Sequence, residues 1–313
     1  MSEHAFVPPD FVGVGGIFVD DIVYADGTTR MAVLGGGVSH AAAGMRIWGQ
    51  RAGIVACAGR DLPDAARQRL ERDFDTRGLI WLDIPQARAW QLFEWDGQRR
   101  EIYRVDELAP FVYRPAPGEV PPVFHAARAV YLLRDIDSLA DWRALYPHAT
   151  LLWEPLQQVM LAENTAAFRA ALPHTDIVSP NWIEAEAIYG TDDPAALVYA
   201  MLADGARIAA LRMGEAGSLV GMQGDPAVLR VPAVPVPDVI DQTGAGNTYC
   251  GAFLAGWQIA HDLRQAAAYG AVAASFCLEG VGVADPLPGF EAERDQRLAW
   301  ALARMEPVPV TDQ

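Results

Sequence analysis

The sequence is poor in the features that mark several large classes of protein. Only three of its 313 residues are cysteine, Cys57, Cys250 and Cys277, and they lie far apart with no C-x-x-C spacing. That argues against a disulfide framework or a thiolate zinc site and suits free thiols in a reducing compartment. Basic residues number 24 against 40 acidic ones, a net charge of −16, and they form few clusters. Without a basic footprint the chain has no surface for nucleic acid or an anionic membrane, so any anionic ligand must be held locally. The opening residues, MSEHAFVPPDF, carry acids and prolines where a secretory leader needs a basic start and an apolar run. The most apolar stretch, 266–284, is interrupted by Glu279 and several glycines, so it reads as a buried helix and the turn after it, not a membrane span. The expectation is a cytoplasmic protein. Internal repeats, low-complexity tracts and long linkers are absent, as is any G-x-G-x-x-G between a strand-like run and a helix, which argues against a dinucleotide-dependent oxidoreductase.

What the chain does have is a core and a rhythm. Hydrophobic residues make up 51% of it, and a globule of this length buries about three quarters of its unfolded surface. Short apolar runs at 11–17, 52–58, 129–133, 150–153, 176–179 and 207–211 are separated by helix-length segments. Such spacing indicates βαβ units and a mostly parallel sheet covered on both faces, whose ligands sit beyond the C-terminal ends of the strands. Two segments depart from the rhythm. Residues 18–33 and 88–104 each read as two strands about an Asp-Gly turn, Asp26-Gly27 and Asp96-Gly97. The expectation is one α/β domain over 1–313, doubly wound, with a small accessory β-lid from 18–33 and 88–106; ordinary loop hairpins are the plainer alternative. Trp90, Phe93, Trp95 and Tyr103 in the second hairpin form either the lid's inner face or a homodimer interface. The proline-rich stretches 110–122 and 232–237 read as connections.

The most informative segment is PVPDVIDQTGAGNTYCGAFLAGWQIA, 235–260. Gly244-Ala245-Gly246 opens directly onto a helical pattern, so unpaired backbone N–H groups and the positive end of a helix point at one place, which makes an anion hole suited to phosphate. Asp241, Thr243 and Asn247 crowd polar side chains around it. Elsewhere, Asp20 follows an apolar run and suits a carboxylate that accepts hydrogen bonds from hydroxyls; a loop aspartate is the plain alternative. Glycines 35–37 permit close backbone approach to a ligand or simply make a turn. Asn181 and Glu184 have the spacing of a helix-capping pair. Arg134 and Asp135 follow the run at 129–133. An inward Arg134 would suit a carboxylate or phosphate on a ligand, and an exposed one would be ordinary surface.

Together these segments resemble the ribokinase-like (PfkB) carbohydrate and nucleoside kinases, whose C-terminal signature has the form D-T-x-G-A-G-D. Gly15 to Asp20 is similar to the family's first strand and substrate-binding aspartate, and Gly35 to His40 to its glycine pair and following helix. Asn181-Trp182-Ile183-Glu184 is similar to its N-x-x-E motif, Gly214-Glu215-Ala216-Gly217 to its nucleotide-side G-x-x-G turn, and 270–288 to the helix and loop that close over adenine. The resemblance implies a ribokinase-like fold and transfer of the ATP γ-phosphoryl group to a hydroxyl of a small sugar-like or nucleoside-like acceptor. It implies that Asp20, Gly36, Gly37 and His40 hold the acceptor, that Asn181, Glu184, Gly214 and Gly217 face the nucleotide, and that Gly244, Ala245 and Gly246 serve the transferring group; Arg134 is added to the acceptor side on its position after the run at 129–133. Glu184 would organise Mg²⁺ through water, and Asp241 and Thr243 would border a K⁺ site.

Three positions depart from the pattern. Asn247 stands where the family has the aspartate that takes the acceptor's proton; a carboxamide orients a hydroxyl but accepts no net proton. Phe18 and His40 stand where sugar kinases of the family often carry asparagines, which points away from free ribose as acceptor. His40 is a candidate substitute base, or a buried, satisfied histidine. General-base catalysis contributes about 10² to 10⁴-fold, whereas positioning and charge stabilisation dominate phosphoryl transfer, so Asn247 implies a slow or specialised kinase. The alternative is a kinase-fold protein that binds nucleotide or sugar and acts through partners.

Overall fold

The computed structural model describes residues 8–95, 99–104 and 114–308. Each apolar run named above becomes a strand. In chain order the elements are β1 (Phe11–Val14), β2 (Phe18–Val23), β3 (Thr29–Gly35), α1 (Gly37–Ile47), β4 (Ala52–Gly59), α2 (Asp64–Asp73), β5 (Asp75–Leu82), β6 (Arg88–Phe93) and β7 (Arg99–Tyr103). There follow β8 (Ala129–Arg134), α3 (Leu139–Leu145), β9 (Thr150–Pro155), α4 (Thr165–Ala171), β10 (Ile177–Val178), α5 (Trp182–Tyr189), α6 (Pro194–Ala203) and β11 (Ile208–Arg212). Last come β12 (Ser218–Met222), β13 (Val228–Val231), α7 (Ala245–Ala260), α8 (Leu263–Leu278), α9 (Glu291–Leu302) and β14 (Glu306–Val308).

Ten strands form one sheet in the order β14-β13-β12-β11-β10-β9-β8-β1-β4-β5. From β11 to β5 every neighbouring pair is parallel, and β12 to β14 extend one edge antiparallel. The parallel part is apolar on both faces because helices cover both. Phe11 joins the core on the side of α1, α7 and α8, while Val12 and Val14 join the one on the side of α3 to α6. The expected doubly wound, mostly parallel sheet is therefore present; β5 and the antiparallel edge are additions to it.

Sequence logic sets the helix ends. Asn181 Oδ1 accepts the Glu184 N–H, Glu184 Oε2 accepts the Asn181 N–H, each at 2.8 Å, and Gly190 ends α5 in the left-handed region at φ 71°. Asp193 accepts from the N–H groups of Ala195 and Ala196, with Pro194 in the first turn of α6. On the other face, α1 crosses α7 at glycines. A Cβ on Gly44 would strike the Thr248 carbonyl, and one on Gly251 the Ala41 carbonyl.

The second sheet has four strands in the order β3-β2-β6-β7. Its hairpins are the two expected from the sequence, joined by parallel pairing of β2 with β6. The turn at Asp26-Gly27 is present, with Asp26 Oδ1 accepting the Thr28 N–H at 2.9 Å; Asp96-Gly97 lies outside the described residues. A buried ion cluster ties this sheet together: Asp21, 0% exposed on its side chain, pairs with Arg88 at 3.0 Å and with Arg104. Burial alone would raise its pKa, but bonds from Arg88, the Ala32 N–H and Arg104 outweigh it and hold the carboxyl below its ordinary value. The aspartate expected at the end of the first strand is placed differently. β1 ends at Val14, and Asp20 is the third residue of β2, in the accessory sheet. The apolar run continued across the Gly15-Gly16 break, which hid the change of sheet.

Candidate active site

β1 lies between β8 and β4, so the chain winds outward from it in both directions, and beyond the strand ends at such a switch point an open sheet forms a crevice. A cavity of about 250 Å³ occupies that place. Gly16 follows β1 there, Leu133 and Arg134 end β8, and the start of α1 contributes Gly36, Gly37 and His40. The accessory sheet closes over it with Phe18, Asp20, Gln91, Glu101 and Tyr103. Every acceptor-side residue expected from the sequence thus lines one cavity. Gly36 has φ 90° and sits so close to the backbone of Gly16 to Phe18 that no Cβ fits.

Asp20 is 3% exposed, and Gln91 Nε2 donates to its Oδ1 and to Glu101 Oε1, both at 2.9 Å. Of the four aromatic residues offered as the lid's inner face, Tyr103 alone lines the cavity, with the Phe18 ring 6.1 Å from its own. Trp90 lies under the Arg104 guanidinium, Phe93 stacks on Tyr24, and Trp95 is 82% exposed. The alternation was offset: Gln91 and Glu101, directly paired across β6 and β7, take the inward positions. His40 is 1% exposed, packed against Gly244 and 3.8 Å from Cys277 Sγ.

Asn247 is joined to four residues the sequence did not single out together with Glu184. Its Nδ2 donates to Tyr131 Oη at 3.2 Å, Tyr131 donates to Glu154 Oε2 at 2.7 Å, and Glu154 Oε1 pairs with Arg212 Nη1 at 2.8 Å. Arg212 also donates to the Ser179 carbonyl and lies 3.9 Å from Glu184 Oε2. Burial would drain charge from Arg212, but Glu154, Cys250 and Glu184 outweigh it and keep the guanidinium firmly protonated. Burial pushes Glu184 upward, with Arg212 opposing. The Tyr131 phenol is driven well above its ordinary value by burial and by Glu154. Glu154 and Glu184 line the same cavity as Asp20 and Arg134, and Arg212 lies against Gly246.

A second cavity of about 410 Å³ opens on the other side of the same turn. Asn181, Gly214, Gly217, Ala245 and Gly246 line it, with Val234, Ala271, Ala274 and Leu278 as apolar wall. The residues expected to face a nucleotide gather here, except Glu184, which lines the first cavity. Between the two, Gly244 caps α7 in the left-handed region at φ 76° with no side chain capping the helix, leaving first-turn N–H groups for a ligand. The two cavities thus meet at one helix start that no side chain caps.

Residues 128–289 match the pfkB family of carbohydrate kinases. The chain belongs to that family. An uncharacterised protein of Schizosaccharomyces pombe is 26% identical over 312 residues, covering 88% of this chain and 85% of that one. A cytidine kinase of Thermococcus kodakarensis is 25% identical over 263 residues, covering 82% and 91%. In fold, an E. coli protein described as a ribokinase II, in complex with ATP and Mg²⁺, superposes with a TM-score of 0.76 at 19% identity, covering 93% of this chain and 99% of that one.

For a pfkB-family chain, the residues overlooked in the sequence are as informative as those found. Tyr131 lay inside the apolar run at 129–133, and Glu154 directly after the one at 150–153, both of which read as strand core. A signal was available: polar residues near the C-terminal ends of parallel strands face the crevice, and Glu154 and Arg212 obey that rule as Arg134 does. Asp241 is 1% exposed and its carboxylate accepts the N–H groups of Thr243 at 2.8 Å and Gly282 at 3.4 Å, so it ties the turn to the loop after α8. Among the described residues no helix is long and apolar enough to cross a membrane.

Proposed function

We propose that this chain, working as one kinase domain whose lid is formed by segments 18–33 and 88–106, transfers the γ-phosphoryl group of ATP to a hydroxyl of a small sugar-like or nucleoside-like acceptor. The observation that carries the reading is the Gly244–Gly246 turn standing between two cavities. The apolar, glycine-lined one suits a purine nucleotide and the polar, lidded one suits a hydroxylated acceptor. In this reading Asp20, backed by Gln91, accepts hydrogen bonds from acceptor hydroxyls, and Gly36, Gly37 and His40 complete the floor. The N–H groups of Gly244, Ala245 and Gly246 and the Arg212 guanidinium stabilise charge on the transferring group.

Among the described residues no three His, Cys, Asp or Glu side chains converge as a metal cage. That donor set fits Mg²⁺, which keeps its waters and binds through one or two carboxylates plus substrate phosphates. Glu184 is the carboxylate in place, acting through water, and the ion would supply charge neutralisation on the phosphates. Asp241 and Thr243 are the proposed border of a K⁺ site. The three free cysteines accord with a cytoplasmic setting.

Asn247 orients the attacking hydroxyl. Its amide is held by Tyr131, whose own proton is committed to Glu154, so the residue is built in as a donor to the tyrosine and not as a vacant base. Since positioning and charge stabilisation dominate phosphoryl transfer, the arrangement turns over without an aspartate, at a rate below that of a site with a base. The binding-protein alternative finds no support among the matched relatives of named activity. The test is ADP release from Mg-ATP over a panel of sugars, sugar derivatives and nucleosides, with thermal shift for each ligand. One acceptor should give ADP and raise Tm. Binding of an ATP analogue that is indifferent to changes at the Gly244–Gly246 turn would overturn the reading, and ribose used with kcat/KM of about 10⁴ M⁻¹s⁻¹ or more would overturn its exclusion as acceptor.

A further inference from the structure

The chain contains no lysine, so all 24 of its basic side chains are arginines. Most of the partly buried ones are matched to carboxylates: Arg212 to Glu154, Arg143 to Asp176, Arg88 to Asp21. Arg134 is different. At 2% exposure it is the most buried arginine among the described residues, and it lines the acceptor cavity. No carboxylate among the described residues lies within ion-pair distance of it. One Nη2 donates to the Pro115 carbonyl, the guanidinium sits 5.3 Å over the Trp142 ring, and Nε has no hydrogen-bond partner. Arg114 lines the same cavity, its charge matched by Asp135, and places a second guanidinium there. A buried cation without a direct ion pair is costly, and burial pulls the Arg134 guanidinium down to about 10, the more distant charge of Asp135 opposing it only in part. The four carboxylates of the cavity are already engaged: Glu154 by Arg212 and Tyr131, Glu184 by the helix cap, Asp20 and Glu101 by Gln91.

From this we infer that the acceptor is an anionic sugar derivative, whose carboxylate or phosphate group is held by Arg134 with Arg114 beside it while its hydroxyls meet Asp20 and Asn247. The guanidinium fork matches either oxyanion bidentately, and such a ligand supplies the counter-charge that the protein leaves out. A cavity of about 250 Å³ is small for a drug-sized ligand and in keeping with a monosaccharide derivative. The inference rests on the kinase reading for the identity of the cavity but is tested separately from it.

The experiment is calorimetric and thermal-shift binding of the full chain, without nucleotide, to D-gluconate, D-fructose 6-phosphate, inorganic phosphate and sulfate, each sugar set against its neutral parent. The expected result is that one anionic sugar binds at least about tenfold more tightly than its parent. Preference for gluconate would identify a carboxylate, and preference for fructose 6-phosphate a phosphate. Arg134→Gln should abolish the preference while binding of an ATP analogue persists. Should that variant unfold, Arg134→Lys keeps the charge but loses the fork and should weaken anion binding. Equal binding of neutral and anionic partners, or no shift from any anionic probe, would overturn the inference, as would a neutral acceptor turned over equally by wild type and Arg134→Lys. In the last case ADP release leaves the kinase reading standing. Arg134-dependent anion binding with no ADP release from any acceptor supports the inference while removing the kinase reading.

Discussion

The two cavities that meet at Gly244–Gly246 are made of different material. The one proposed for the nucleotide is chiefly backbone and aliphatic wall, from Gly214, Gly217, Ala245 and Gly246 to Ala271, Ala274 and Leu278. The one proposed for the acceptor is made of side chains with charge and direction: Asp20, His40, Gln91, Arg134, Glu154, Asn247. A surface of glycines and small aliphatics fits one planar base and a phosphate chain and has little room to vary. A surface of oriented polar groups can be rewritten one residue at a time, and all three departures from the family pattern, Phe18, His40 and Asn247, fall there.

The sharpest way to break this contrast is Gly246→Val. A Cβ at 246 would strike the Arg212 guanidinium, so the variant should lose affinity for an ATP analogue by about 10³-fold, or ~4 kcal/mol. Acceptor binding measured without nucleotide should hold to within a few fold. Equal loss on both sides would show that the cavities are not separable.

Asn247→Asp addresses the acceptor side. The change removes the amide donated to Tyr131 and adds a carboxylate near the Glu154 network, where like charge raises its pKa. Turnover on the true acceptor should rise about 10²-fold, with the gain fading as pH falls and the new base is protonated. A kcat-against-pH series for both forms reads this. A wild type faster at every pH would assign proton acceptance to another group of the cavity.

The smallest effect on catalysis is expected in the lid. Because Asp21 titrates below its ordinary value in the folded chain, its contribution to stability is complete above about pH 4 and is lost as pH falls through the lower folded value. Asp21→Asn leaves Arg88 and Arg104 without their shared partner, at a cost of about 3 kcal/mol. Tm at neutral pH should fall and become flatter across the acid range than that of wild type. Acceptor KM should rise a few fold while ATP affinity is unchanged. An unaltered acid profile would mean that the ion cluster does not hold the lid.

Legibility in the sequence followed the same division. The nucleotide-side turns and the Asn181–Glu184 cap are local in sequence, since glycines and capping residues announce their own backbone geometry. The first cavity is assembled from nine separated segments, and its partners become visible only once β8 to β11 are laid into one sheet. Tyr131 was indistinguishable from core because its ring is core; its hydroxyl alone reaches Glu154. Asp20 lines the cavity but stands in the accessory sheet and not at the end of β1, because two glycines interrupted an apolar run without altering its hydropathy. The lid's inner face was misread because aromatic residues were given the inward register that Gln91 and Glu101 occupy.

The crossing of α1 and α7 at Gly44 and Gly251 puts bare backbone against bare backbone, with no side chain to act as a cushion. The first helix begins in the lining of the first cavity and the second at the Gly244–Gly246 turn, so this contact is the fixed gauge between them. A lid can travel and a pocket lining can be exchanged without disturbing that spacing, but one methyl group at position 251 works as a shim under the whole apparatus. Retuning such a site for a new ligand class can therefore proceed wall by wall while the gauge stays the same.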